Sequence, residues 1–257
     1  MTDLFIVTVY TNGAQYNQLF THNKQMAACH FHPYDNTQEN LPVAARYNDF
    51  IDHHLPQEGW VIFCHQDFEF LQDPAPVLEK LSKNFIYGPI GIAAQPHKTL
   101  TLTFHSWRKP SLKWGTELRP VYYGQIKQGT GPDEKTIGLH LRAPHLVDTL
   151  DCCCLIAHSS LIRQHRLRFD EQFDFHLYSE DFSLAARQQG VLTRAVQLNC
   201  RHHSAGTTDQ AFWTKYKALL QKYPQEIFLT TCVGDYNAFL RQALPPAYWT
   251  IAHCKEK

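Results

Sequence analysis

Leu4 to Tyr10 is an unbroken run of β-branched and aromatic residues that stops at Asn12-Gly13, the pattern of a buried strand followed by a turn. Trp60 to Cys64 repeats it after Glu58-Gly59, and Phe85 to Ile92 is a third run, broken by Gly88, Pro89 and Gly91. Strands without polar alternation belong in a sheet covered on both faces. Between them the apolar spacing turns helical, over Val43 to His54 and over Ala75 to Leu81 after Pro74. This alternation predicts an α/β fold with a mostly parallel sheet flanked by helices.

The middle changes character. Thr99 to Phe104 alternates with period two, and glycines and prolines punctuate the chain from Pro110 to Pro132, as in a loop-and-hairpin excursion. Leu150 to Ala157, with Cys152-Cys153-Cys154 inside it, reads as a fourth buried strand, and a helix comes next, from Ser159 or Ser160 to His165. Ser179-Glu180-Asp181 opens a helix that ends before Gly190, with its acids placed to complement the helix N-terminus. Asp209 to Tyr223 and Gln225 to Leu244 read as C-terminal helices. No repeat or linker divides the chain.

Composition narrows the function. With 257 residues, 24 basic against 24 acidic side chains and no net charge, the chain lacks the positive field that drives non-specific nucleic-acid binding, so no nucleic-acid partner is expected. No stretch approaches the roughly 20 apolar residues of a membrane span, and Met1-Thr2-Asp3 lacks the basic start of a signal peptide. Eight cysteines, three of them consecutive and none in a CxxC pair, fit a reducing compartment and argue against structural zinc. A cytoplasmic protein is expected, with room for peripheral membrane association. The cysteine run reads as small apolar residues in a strand rather than as a thiol nucleophile. Cys29-His30-Phe31-His32 and His53-His54 lack a matching set of four zinc ligands.

His65-Gln66-Asp67 ends the second run, and on an extended backbone residues 65 and 67 project from the same side. They form either a ligand pair beyond the carboxyl end of a strand, where open α/β sheets bind their ligands, or a packed histidine beside a turn-capping aspartate.

Several segments match one pattern in order: Tyr47-Asn48, Trp60 to Asp67, Gly88 to Gly91, Leu150-Asp151, Leu167 to Phe173, Tyr178-Ser179-Glu180-Asp181, Arg187 to Gly190, and His202-His203-Ser204-Ala205-Gly206. On these the chain resembles the family 2-like glycosyltransferases of the A-type nucleotide-sugar fold, over about residues 4 to 206. The resemblance implies one such domain over residues 1–206. Its nucleotide-sugar half would cover about 1–95, a loop and hairpin insertion about 96–139, and the acceptor half about 140–206; residues 207–257 would be a helical extension.

The implied activity is inverting, divalent-metal-dependent transfer of a hexosyl or N-acetylhexosaminyl unit from a nucleotide-diphosphate sugar to a saccharide or other hydroxyl acceptor, in surface-glycan synthesis. His65-Gln66-Asp67 would stand for the family's DxD element, with Asp67 as the main ligand of Mn²⁺ or Mg²⁺. His65 would support it, and His202 of the H-x-S-x-G pattern would be a second ligand, with His203 as the fallback. Asp181 would be the general base and Glu180 its alternate. Thr8, Tyr10, Asn12, Asn48, Gln66, Asp67 and Asp151 would contact the nucleotide sugar. The competing readings are a non-catalytic nucleotide-sugar or partner-binding module and a metal-dependent hydrolase.

Overall fold

The computed structural model describes residues 3–103, 111–204 and 208–233. In chain order the strands are β1 (Leu4–Tyr10), β2 (His30–Asp35), β3 (Trp60–His65), β4 (Phe68–Phe70), β5 (Ile86–Gly88), β6 (Gly91–Thr103) and β7 (Ser111–Tyr123). They continue with β8 (Ile126–Gln128), β9 (Lys135–Ile137), β10 (His145–Val147), β11 (Thr149–Leu150), β12 (Cys154–His158), β13 (Thr193–Ala195) and β14 (Cys200–His202). The helices are α1 (Gly13–Tyr16), α2 (Val43–His53), α3 (Ala75–Leu78), α4 (Ser159–His165), α5 (Tyr178–Gln188) and α6 (Gln210–Lys222).

A seven-stranded sheet in the order β10-β13-β5-β12-β3-β1-β2 forms the centre. Its inner strands explain the unbroken apolar runs, because alternate residues feed two different cores. Val7, Val61 and Phe63 pack with Tyr47 and Phe50 of α2 and Phe182 of α5. Ile6, Trp60, Ile62 and Cys64 face the opposite way, onto Tyr16, Phe20, Phe68 and Leu78.

The sheet is mixed rather than mostly parallel. β1 runs parallel to β2 and β3, and β13 to β5, but β12 is antiparallel to both β3 and β5, and β10 to β13. The cause is the insertion. The chain leaves the end of β5 into the β6–β7 hairpin and returns to the same end, so β12 starts where β5 stops and needs no crossover helix. The hairpin begins at Gly91 and ends at Tyr123, earlier at its start than the sequence pattern indicates, and residues 104–110 lie outside the described residues. Gly124 lets the chain close back on Pro89: its φ is +85°, and a Cβ there would sit 2.0 Å from the Pro89 carbonyl oxygen.

Other elements shift for local reasons. β2 carries too few buried positions to read as a strand, and Pro33 inside it is tolerated because β2 is the sheet's edge. Leu150 to Ala157 is two strands, because Asp151 Oδ1 accepts from the Cys153 amide at 2.9 Å and turns the chain. Asn12 caps α1 instead of making an isolated turn, its Oδ1 accepting from the Gln15 amide at 3.1 Å. α6 matches its expected span, with Asp209 as N-cap. The second C-terminal helix does not form over residues 225–233, where Leu229 pairs through its backbone with Thr149 and Asp148. Its remainder, residues 234–244, lies outside the described residues. Among the described residues no helix is long and apolar enough to cross a membrane.

Candidate metal centre and cleft

The register of the sheet places the carboxyl ends of β1 and β3 beside the start of β12, with Cys64 opposite Cys154, so His65, Asp67 and the turn at Asp151 share one rim. β14 completes it. Paired antiparallel to β4, it sets His202 opposite Phe68, one residue beyond Asp67. His65 Nδ1 and His202 Nε2 are 3.4 Å apart, Asp67 Oδ1 lies 3.4 Å from His202 Nε2, and it lies 3.9 Å from His65 Nδ1. Donors about 2.1 Å from a cation stand about 3.0 to 3.4 Å apart in octahedral or tetrahedral arrangements, so this triad fits an ion after a small contraction.

The protonation of His65 and Asp67 suits the same role. Burial, and after it the charge of His202, push His65 down to about 4, so its imidazole is neutral at pH 7. Burial alone would raise Asp67, but hydrogen bonding to His202 and the two imidazole charges outweigh it and hold the carboxyl down at about 2. His202 is raised despite its burial, because Asp67 faces it. Two imidazoles beside one carboxylate suit a transition ion better than Mg²⁺, which prefers oxygen ligands throughout.

His203 turns away: its Nε2 lies 3.0 Å from Glu69 Oε2, beside the Arg201 pair with Glu69 and Glu134. Strand alternation thus decides between the doubled histidines in space, although Ala205 and Gly206 of the H-x-S-x-G pattern lie outside the described residues. His202→Ala is expected to weaken Mn²⁺ binding at least tenfold and His203→Ala to leave it within about twofold, since only His202 reaches the triad. Isothermal titration of both variants with Mn²⁺ checks this.

The triad opens into a cleft of about 1140 Å³. Of the residues expected to touch substrate, Gln66, Asp67 and Asp151 line it. Gln66 also clamps β3 to the end of β1, its Oε1 accepting from the amides of Thr11 and Asn12 at 2.8 and 3.0 Å. The others are not in its wall. Thr8 is buried against Cys64, with 3.4 Å from Oγ1 to Sγ. Tyr10 stacks on Tyr16, and Asn12 caps α1. Asn48 spends its amide on Phe169 and Glu171, holding the Leu167 to Phe173 segment on α2. None of the described lining residues is Lys or Arg, whereas Asp67, Asp151 and Asp174 all face the cleft.

The two helix carboxylates part company. α5 begins at Tyr178, one residue before the expected cap, with Leu177 at φ +63° and no side-chain cap. Ser179 Oγ instead donates to Glu180 Oε2 at 2.7 Å, and Thr231 Oγ1 donates to Glu180 Oε1 at 3.1 Å. Glu180 is fully buried directly behind Thr231 and Cys232, which line the cleft. Burial is the main cause that lifts it from 4.5 to about 7; Ser179 opposes the rise and the Asp151 charge adds to it. Asp181 points to the other side of α5, where Oδ1 accepts from Lys222 Nζ at 2.6 Å and from the Tyr223 hydroxyl at 2.9 Å. It docks α6 onto α5.

Phe175, His176, Thr231 and Cys232 also line the cleft and were not singled out in the sequence. Phe175, 57% exposed, lies parallel to the His65 ring at 6.4 Å between centroids. A large aromatic in a polar turn was its only signal. Thr231 and Cys232 had none, because they reach Glu180 across about 50 residues of chain.

No protein-family model and no curated protein matches the chain. Among solved structures it is similar to a protein of Bacillus anthracis described as a putative glucose-1-phosphate thymidylyltransferase and crystallised with sucrose, at 13% identity and a TM-score of 0.36, over 85% of this chain and 76% of that one. It is also similar to HddC from Yersinia pseudotuberculosis, at 11% identity and a TM-score of 0.34, over 86% and 79% of the two chains. These values describe a distant likeness and decide nothing about activity.

Proposed function

We propose that the protein is an inverting, divalent-metal-dependent glycosyltransferase of the A-type fold, moving a sugar from a nucleoside-diphosphate donor to a hydroxyl acceptor in surface-glycan synthesis. The reading is carried by two imidazoles and a carboxylate gathered within 4.8 Å at the carboxyl end of the central strands, opening into the large cleft. That rim is where open α/β sheets bind ligands. A divalent ion there would neutralise the charge that grows on a departing diphosphate. His65, Asp67 and His202 would hold it, with Gln66 fixing the β1 and β3 ends relative to each other.

Glu180 rather than Asp181 would receive the acceptor proton. An acceptor hydroxyl bound to Thr231 Oγ1 would pass its proton to that oxygen as Thr231 gives its own to Glu180 Oε1, 3.1 Å away. The freed acceptor oxygen attacks the anomeric carbon, and the diphosphate leaves from the opposite face with the bonding pair. Asp151, on the cleft wall, would hold a sugar hydroxyl.

The test is release of nucleoside diphosphate from a panel of nucleotide sugars, with and without saccharide acceptors. Acceptor-dependent release, with Mn²⁺ favoured over Mg²⁺ by on the order of tenfold given the imidazole ligands, is expected. Release that ignores acceptor would favour the hydrolase reading, which the same donor set supports because it suits a metal-activated water. Binding without turnover would leave a nucleotide-sugar-binding module.

A further inference from the structure

Tyr178 is completely buried at the start of α5, and its hydroxyl meets both a backbone carbonyl and an imidazole. It donates to the Cys152 carbonyl oxygen at 2.8 Å and lies 2.8 Å from His65 Nε2. A phenol has one proton, and a carbonyl can only accept. With that proton spent on Cys152, the hydroxyl faces His65 with a lone pair, so Nε2 must carry the hydrogen. Tyr47, whose hydroxyl also hydrogen-bonds to that of Tyr178, gives it no proton, because its own goes to the Cys64 carbonyl at 3.2 Å.

We infer that Tyr178 is a positioning residue for the metal centre: it fixes His65 as the Nε2–H tautomer and presents a bare Nδ1 to the ion beside Asp67 and His202. The inference rests on the metal reading above for its consequence, but the tautomer itself is a property of the ion-free protein. Tyr178 ties two parts of the rim together. Its acceptor, Cys152, adjoins Asp151, whose Oδ1 caps the same turn at the Cys153 amide, and the His65 amide donates to the Cys153 carbonyl at 3.1 Å. One phenol thus orients a ligand and braces the turn that carries the sugar-facing carboxylate. A hydrogen bond on the far nitrogen of a ligating imidazole sets both its tautomer and its ring angle, and such partners change metal affinity by about 10–100-fold.

Tyr178→Phe removes only the hydroxyl and keeps the ring that packs against Tyr47 and Phe169 at 5.8 and 6.0 Å. Two measurements separate the claims. Long-range proton–nitrogen spectra of the metal-free wild type report the tautomer; with sixteen histidines in the chain, the His65 signals are identified by their loss in His65→Gln. A protonated Nε2 and bare Nδ1 in wild type, with the two forms mixed in Tyr178→Phe, is expected. Calorimetric titration with Mn²⁺ should then show affinity falling by on the order of 10–100-fold in the folded variant. A protonated Nδ1 in wild type overturns the tautomer assignment whatever the metal does. Wild-type Mn²⁺ affinity in Tyr178→Phe overturns the positioning role. If wild type itself binds no Mn²⁺, or any other divalent transition ion, while Nε2 carries the proton, the metal reading fails and the hydrogen-bond assignment alone stands.

Discussion

Asp67→Asn is expected to abolish binding of a nucleoside diphosphate in the presence of Mn²⁺, lowering affinity by more than about a hundredfold while the fold persists. The reason is the charge inventory of the cleft. A diphosphate brings at least two negative charges, and among the described lining residues no Lys or Arg meets them. Asp67, Asp151 and Asp174 make the cleft by itself repulsive to an anion. Two unit charges 4 Å apart near a protein surface interact by about 4 kcal/mol, so a cation shared between Asp67 and the phosphates decides whether binding occurs at all. Asn keeps the shape and a hydrogen bond towards His202 but removes the anionic donor. Wild type should accordingly bind no nucleoside diphosphate in chelator, and Asp67→Asn none in Mn²⁺. Unchanged Mn²⁺-dependent affinity in a folded variant would take Asp67 out of the metal site.

Glu180→Gln is expected to cut turnover by about 10²–10⁴, the usual contribution of a general base, with donor affinity nearly kept. The same substitution should change stability in a pH-dependent way. In the folded protein Glu180 titrates near 7 against 4.5 ordinarily, so between those values the native state holds a proton that the unfolded chain has released. Its contribution to stability is complete below pH 4.5, declines as pH rises to about 7, and is lost above, an effect of about 3 kcal/mol over the window. Gln does not titrate. The difference in melting temperature between Glu180→Gln and wild type should therefore move in favour of the variant as pH rises from about 5 to about 8, while wild-type turnover rises through about pH 7. Asp181→Asn should behave oppositely, losing stability by about 1–3 kcal/mol through the broken Lys222 and Tyr223 contacts while turnover in the remaining folded protein stays close to wild type. If Asp181→Asn stops transfer at unchanged stability and Glu180→Gln does not, the base is Asp181.

Local sequence determined the parts of this protein whose cause is local. Trp60 to His65 had to be an inner strand because its consecutive apolar side chains need two cores, and both cores are present. Asp209 had to start a helix because its carboxylate caps the Phe212 amide three residues on. His65 and Asp67 had to project together because alternate residues on a strand share a face.

Tertiary structure alone decided the rest. Which way β12 runs depends on where the hairpin insertion returns the chain, and no residue of Cys154–His158 encodes that direction. His202 rather than His203 joins the triad because β14 pairs with β4 in one register and not the next, a choice made by packing between segments far apart in the chain. Glu180 and Asp181 read alike as helix-opening acids. They differ because a helix rotates successive residues by about 100°, turning one towards Thr231 at the cleft and the other towards Lys222, and both partners arrive from chain far beyond α5.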